Sequence, residues 1–350
     1  MNTITLNKSS FRDKVNKCYD TYINLSKYNT LAIGIYHNDN FYVFGNGIDN
    51  SYKYDIGSIS KTITAHLVLY LSNKKLIDLD KSIDNYLLHK KGKYPTIYQL
   101  LTHTAGYNNL TPIEITVPSL LRHGYSKKNI YENCNNDTII NCLNKRRNHK
   151  DNNAYGYSDF AYAILASICE KVTNTKFSLL IEDFVRDKLD MKDTDVFVNK
   201  DNRYPLSIKN NKILPYWKWN NNNPYIASGG LSSNIIDMLK YIKLQVTSTD
   251  SYITNAHKVC ENSFNKNSKI GMCVGWHTYR KSNQLWHVGG VGTFRSSIII
   301  NKHKKCGVIV LGNAKGIKSA NVHYLAKMIY SEIKIKKINI NKTQNDIDIF

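Results

Sequence analysis

Two strand pairs stand almost the whole chain apart, and that separation constrains the fold more than any other feature. Leu31 to Tyr36 and Phe41 to Phe44 are strand-like runs joined by His37-Asn38-Asp39-Asn40, a hairpin pattern. Phe294 to Ile300 and Cys306 to Leu311 make a second hairpin around Asn301-Lys302-His303-Lys304-Lys305. Between them apolar residues recur at helical spacing to about residue 250, broken by Asn-rich stretches at 134–153 and 209–223 that read as polar loops. Strands at both ends with helices between predict an α+β, two-lobed chain: one antiparallel sheet assembled from both termini, flanked by helices, with a mainly helical lobe inserted. The expected boundaries are 1–56 and 265–335 for the sheet lobe and 57–264 for the helical lobe, with a polar tail at 336–350. A helix over Phe11 to Leu25 is expected before the sheet and another over Ala320 to Ile333 after it.

Size and composition narrow the function classes. With 350 residues, 42% of them hydrophobic, the chain has enough apolar surface for a large core and does not read as disordered. Its longest apolar runs, such as Ile298 to Ile300 and Val308 to Leu311, fall far short of the roughly 18 residues that span a bilayer, so no integral membrane segment is expected. Met1 to Asp20 carries Lys8, Arg12, Asp13, Lys14 and Lys17 with no apolar leader core, and the expected location is cytoplasmic. The seven cysteines, Cys18, Cys134, Cys142, Cys169, Cys260, Cys273 and Cys306, are widely spaced with no C-x-x-C pair and are expected as reduced, mostly buried thiols.

The formal charge of +21 raises the question of nucleic acid. Abundant Lys, Asn, Ile and Tyr point instead to a compositional bias with scattered surface lysines. Two clusters stand out, Lys145-Arg146-Arg147 with His149 and Lys150, and the stretch from Lys302 to Lys337. No obligate nucleic-acid partner is expected, while contact of the basic surface with an anionic polymer stays open.

The chemistry begins at Gly57-Ser58-Ile59-Ser60-Lys61, which enters an apolar helix carrying Ile59, Ile63, Leu67 and Leu71. A Ser and a Lys three apart at a helix start share one face, so a neutral lysine there can take the serine's proton while first-turn N–H groups face the developing oxyanion. The same S-x-x-K spacing occurs at Ser72/Lys75, Ser263/Lys266 and Ser331/Lys334, so spacing alone does not single out Ser58. Two further segments do. Tyr155-Gly156-Tyr157-Ser158-Asp159 leads into a helix striped by Phe160, Ile164, Ile168 and Val172 and ending near Asn174, with Ser158 or Asp159 as its N-cap. Trp286-His287-Val288-Gly289-Gly290-Val291-Gly292-Thr293-Phe294-Arg295 is a strand end and Gly-rich turn whose backbone can approach a ligand closely. No G-x-S-x-G, H-E-x-x-H or P-loop pattern competes with them, and the chemistry calls for no metal and no cofactor.

Together and in this order, the three segments resemble the serine β-lactamase and penicillin-binding protein superfamily, most closely its class C-like branch of β-lactamases, D-aminopeptidases, DD-carboxypeptidases and esterases. Further matches are the hairpin Gly34 to Gly47, Lys75-Leu76-Ile77-Asp78-Leu79-Asp80, and Leu100-Leu101-Thr102-His103-Thr104-Ala105-Gly106, which resembles the family's LLTHTSG signature. Ala227 to Ser233 and Gly275-Trp276 also look similar, and the resemblance runs over roughly residues 15 to 332.

The resemblance implies one β-lactamase/transpeptidase-like domain that hydrolyses a small amide or ester through an acyl-enzyme. It makes Ser58 the nucleophile, Lys61 its base, Tyr157 the proton relay, and the N–H groups of Ser58 and Gly290 the oxyanion hole. Asp159, His287, Gly289 and Arg295 are expected to bind substrate, and His103 to hold loop structure. Asp159 stands where the family usually has Asn, and should pull Lys61 toward its charged form. His287-Val288-Gly289 replaces the Lys-Thr-Gly of most β-lactamases, and the usual Pro-Gly before the tyrosine motif is missing. Loss of that lysine and hydroxyl favours esters and D-peptides over β-lactams, with Arg295 as a substitute carboxylate anchor. The alternative class is a weak or inactive binding protein that keeps the fold and recognises peptides or an anionic polymer.

Overall fold

The computed structural model describes residues 30–46, 50–87, 90, 92–107, 111–123, 129–146, 155–196, 203–206, 208–209, 212–264, 269–313 and 319–335. The expected Phe11 to Leu25 helix, Cys18 and the 336–350 tail lie outside them.

The first hairpin is strand β1 (Leu31–His37) with β2 (Asn40–Asn46). Its turn residues Asn38 and Asp39 have φ of 47° and 64°, the left-handed region that Asn and Asp tolerate and that a two-residue hairpin needs. Short strands follow in the helical part: β3 (Tyr54–Asp55), β4 (Asp195–Val196), the ladder β5 (Ile208–Lys209) with β6 (Lys212–Ile213), and β7 (Leu231–Ser233). The rest are β8 (Val259–Cys260), β9 (Ile270–Cys273), β10 (His277–Tyr279), β11 (Gln284–Val291), β12 (Phe294–Asn301) and β13 (Cys306–Asn313).

The main sheet runs in the order β2-β1-β13-β12-β11-β10-β9-β8, every neighbouring pair antiparallel. The first strand therefore pairs with the last, Ile33 opposite Val310, which joins the two ends of the chain in one sheet. Four strands ahead of Phe294, from β8 to β11, widen the sheet beyond the two hairpins read from the sequence.

The helices are α1 (Ser60–Asn73), α2 (Ile97–Leu101), α3 (Ile113–His123), α4 (Asn136–Lys145), α5 (Asp159–Thr173), α6 (Phe177–Lys188), α7 (Ile226–Gly229), α8 (Ile235–Thr247), α9 (Ser251–Thr254) and α10 (Ser319–Ile335). Helix α10 covers one sheet face, burying Val322, Leu325, Ile329 and Ile333 on Ile33, Ile35, Ile299, Val308 and Val310. The other face meets α8 and the helical lobe. Helix α4 corrects the polar loop expected at 134–153. Asn135 accepts from the Thr138 N–H at 2.9 Å, the Thr138 hydroxyl accepts from the Asn135 N–H at 3.3 Å, and Ile139, Cys142 and Leu143 are buried behind this capping box.

The small sheet β3-β7-β4 sits between the lobes, with Asp55 opposite Ser232. The Ile56 N–H donates to Leu231 O at 3.0 Å, which fixes the chain just before Gly57. The six described cysteines are buried thiols outside any disulfide. No described helix is long and apolar enough to cross a membrane.

Candidate active site

Ser58 lies in a single 3₁₀ turn, Gly57–Ile59, that runs directly into α1. Gly57 has φ +53°, and a Cβ there would stand 2.5 Å from the Gly290 nitrogen, so only glycine lets the start of α1 touch β11. The neighbouring Gly289 is as tightly held: a Cβ would lie 2.0 Å from Ile56 O and 2.3 Å from Ser296 Oγ. Strand β10 pairs with β11 only at Leu285 and Trp286, so from His287 onward that edge of β11 is free of β10 and lies beside Ser58. Gly290 is exposed there. That close approach sets the Gly290 amide against the start of α1, beside Ser58.

Lys61 is fully buried one turn into α1. Its Nζ reaches Ser58 Oγ at 3.1 Å, Asp159 Oδ1 at 2.6 Å and Ser228 O at 2.7 Å, and it lies 4.9 Å from the Tyr157 ring centroid and 5.6 Å from that of Tyr162. Burial pushes its pKa below the ordinary lysine value, and the charge and hydrogen bond of Asp159 oppose that shift without reversing it. The sequence-level expectation of a pull by Asp159 is therefore met, but desolvation is the larger effect. In its neutral form Lys61 can keep two N–H donors on Asp159 and Ser228 O and turn its lone pair to the Ser58 hydroxyl.

Tyr157 enters from the loop before α5, its ring centroid 4.9 Å from Lys61 Nζ, and the Ser58 side chain works against the upward shift of its phenol. Burial and then the Asp159 charge hold its phenol well above the usual tyrosine pKa, so it is a neutral O–H. Ser158 caps α5, its Oγ accepting from the Ala161 N–H at 3.1 Å, and Asp159 is the helix's first residue. The outer oxygen of Asp159 accepts from Tyr131 OH at 3.2 Å.

His287 is fully buried on β11 and its Nδ1 donates to Val288 O at 2.8 Å, which leaves Nε2 as a bare acceptor. Burial, then His277 and Lys61, depress its pKa well below the usual value, so it is a neutral ring and not a substitute cation. Its centroid is 4.9 Å from His277 and 6.3 Å from Tyr157.

The fold thus brings Ser58, Lys61, Tyr157, Asp159, His287, Gly289 and Gly290 together. Arg295 does not. It lies opposite Gly290, but its neighbour Ser296 donates to Ile56 O on the helical-lobe side, and strand alternation sends Arg295 to the α10 face with Ser297, which contacts His323. Its guanidinium is bonded to Gly292 O at 3.0 Å and Phe294 O at 2.6 Å. The expected carboxylate anchor is corrected on that ground.

Three neighbours were not read from the sequence as site residues. Tyr131, stacked on Tyr225 at 4.0 Å and edge-on to Trp217, forms the wall that holds Asp159. His277 stacks near Tyr157 at 6.1 Å. Ser228 supplies its carbonyl to Lys61, and its place in Ala227-Ser228-Gly229-Gly230 was the available signal. His103, read only as a loop residue, holds the tyrosine turn: its carbonyl accepts from the Gly156 N–H at 2.7 Å and its Nδ1 from the Ser158 N–H at 3.1 Å.

Comparison with known proteins agrees with this fold. The family model described as Beta-lactamase matches residues 20–329. Protein flp of Staphylococcus aureus (strain MW2) is 24% identical over 294 residues, covering 79% of this chain and 55% of flp, so the chain spans about half the length of that curated relative. Among solved structures, the octameric penicillin-binding protein homologue from Pyrococcus abyssi superposes with a TM-score of 0.76 at 21% identity, over 93% of this chain and 78% of that one. A class C beta-lactamase gives 0.75 at 17% identity, over 94% and 98%.

Proposed function

This chain belongs to the Beta-lactamase family, and from that premise we propose that it is a serine hydrolase that forms an acyl-enzyme on Ser58 and turns over esters and unstrained amides better than β-lactams. The observation that carries the reading is the buried Lys61 Nζ 3.1 Å from Ser58 Oγ, with burial favouring its neutral form.

In the proposed cycle, neutral Lys61 takes the Ser58 proton as Oγ attacks the substrate carbonyl. The oxyanion is met by the N–H groups of Ser58 and Gly290. The proton on Lys61 passes through the Tyr157 hydroxyl to the departing alcohol or amine, whose bond to the acyl carbon breaks. Water then attacks the acyl-enzyme, gives its proton back along Tyr157 and Lys61, and frees Ser58.

The substrate-class part rests on the charges beside the nucleophile. A neutral His287 and an apolar Val288 offer no cation and no hydroxyl to a β-lactam carboxylate, and Arg295 is on the far face of the sheet. The test compares kcat/KM for p-nitrophenyl acetate and butyrate, D-amino-acid amides and nitrocefin. Esters or amides should lead, and nitrocefin turnover above all of them overturns the substrate class. A second reading, a weakly active binding protein, is favoured by one observation: the shortest bond of Lys61 goes to Asp159, not to Ser58.

A further inference from the structure

Helix α3 turns its apolar side outward. Ile115 is buried, whereas Ile113, Val117, Leu120 and Leu121 are 66%, 44%, 40% and 82% exposed. With 3.6 residues per turn those four fall within one arc of about 100°, the stripe that a helix of a globular protein normally turns to the core.

One edge of the stripe carries positive charge. Glu114, next to Ile113 and one turn from Val117, accepts from Arg146 Nη2 at 3.1 Å and lies 3.5 Å from Lys145 Nζ. Both cations come from the C-terminal end of α4, and the Lys145 side chain is 66% exposed. They outweigh the one carboxylate that they hold. In the sequence, 113–128 and 141–150 together carry seven Lys and Arg, with Glu114 as the one acid. The cycle at Ser58 uses none of this charge. Yet α3 starts two residues after Thr111, whose hydroxyl lies 3.2 Å from Tyr131 OH, the group that donates to Asp159 beside Lys61. A surface met by α3 is therefore near the Ser58 cleft.

We propose that the α3 stripe and its Lys145-Arg146 edge dock the protein onto an anionic lipid surface, with Ile113, Val117, Leu120 and Leu121 set at the boundary of headgroups and acyl chains and the cations on lipid phosphates. An apolar stripe bordered by Lys and Arg is the pattern of a helix that lies in a membrane interface. A chain with a formal charge of +21 is also drawn to the negative potential of such a surface. A second copy fits the patch less well. Four side chains fall short of the roughly 800 Å² per partner that a stable dimer buries, and pairing two stripes would bring like charges together. A nucleic acid or another soluble polyanion would use the cations and leave the stripe in water. Docking of this kind does not require turnover at Ser58.

Cosedimentation of the full chain with vesicles of phosphatidylcholine, alone or mixed with phosphatidylglycerol, tests the proposal. Wild type should bind the mixed vesicles at least about tenfold more tightly than the neutral ones, and lose that margin as salt is raised. The double variant Val117→Gln/Leu121→Gln should bind mixed vesicles about tenfold more weakly with an unchanged melting temperature, and Lys145→Gln about fivefold more weakly. If the double variant folds poorly, Leu121→Trp keeps an apolar side chain in place and adds a fluorophore whose emission should shift to the blue on mixed vesicles alone. No binding of wild type to mixed vesicles, or an unshifted emission from Leu121→Trp, overturns the proposal. So does equal binding by a folded double variant, which marks a contact through charge alone, or a wild-type dimer that the double variant dissociates. A chain inert toward every ester ends the hydrolase reading and leaves these binding results as they stand.

Discussion

His103 brackets Tyr157. Its carbonyl takes the N–H of the residue before the tyrosine, at 2.7 Å, and its imidazole takes the N–H of the residue after it, at 3.1 Å, with the two rings 4.5 Å apart. His103 itself sits at φ 55°, so its backbone and its side chain turn to the same segment. It is a positioning residue that fixes the phenol against Ser58 without touching the reacting atoms.

His103→Ala should accordingly lower kcat by about tenfold or more through misplacement of the relay, with a much smaller change in KM. His103→Asn, which keeps a side-chain acceptor for the Ser158 N–H, should recover part of the loss. Steady-state kinetics of both variants check this, and equal losses in the two would make the imidazole's role one of bulk.

For the relay itself, Tyr157→Phe keeps the ring against His103 and removes only the hydroxyl. Proton transfer of this kind is worth about 10²- to 10⁴-fold, so kcat should fall within that range while melting temperature changes little. Lys61→Ala should cost as much in rate. Full kcat in Tyr157→Phe would require another route for the proton.

Gly289→Ala tests the contact that joins the two lobes at the site. The new Cβ would meet a backbone oxygen at 2.0 Å, and no rotamer relieves a clash with backbone. Overpacking of this kind costs about 2 kcal/mol, and here it also moves Gly290, so both stability and acylation rate should drop. A stable, fully active Gly289→Ala protein would show that β11 and the start of α1 have slack.

Acid should unfold the chain early. Burial holds His66 at about 4 and His277 at about 3, with His103 and His287 also well below the usual value. Each is neutral in the folded state, so its contribution is full above the unfolded value near 6.5 and is lost as pH falls from there toward the folded value. Each such group removes about 1.4 kcal/mol of stability per pH unit in that window. Denaturant melts at pH 7.5, 6.5 and 5.5 should show stability falling steeply below 6.5. A flat profile down to pH 5 would mean that these rings accept protons in place.

Local order in the sequence carried most of this architecture. The two hairpins, the helix behind Ser58 and the one behind Ser158 were legible because alternation, apolar stripes and cap residues are near-neighbour patterns, and the αL residue Asn174 ends α5 where its type predicts. Helix α4 was hidden because Asn135 and Asn136 read as loop residues when they are the cap and first residue of a helix. The short strands β8 to β10 carry too few residues for an alternation pattern. At the site, the resemblance carried by the three motif segments pointed to Ser58, Lys61 and Tyr157, whereas Tyr131 and His277 reach it only through the tertiary fold. Arg295 shows the converse: adjacency to a Gly-rich turn says nothing about which face of a strand a side chain takes.

The central claim is that Ser58, activated by Lys61, is the acylated nucleophile. Intact-protein and peptide mass spectrometry after exposure to a fluorophosphonate tests it most directly. One adduct is predicted, on the peptide that carries Ser58, and its loss in a folded Ser58→Ala variant. An adduct on Ser72, its persistence in Ser58→Ala, or none on folded wild-type protein would contradict it.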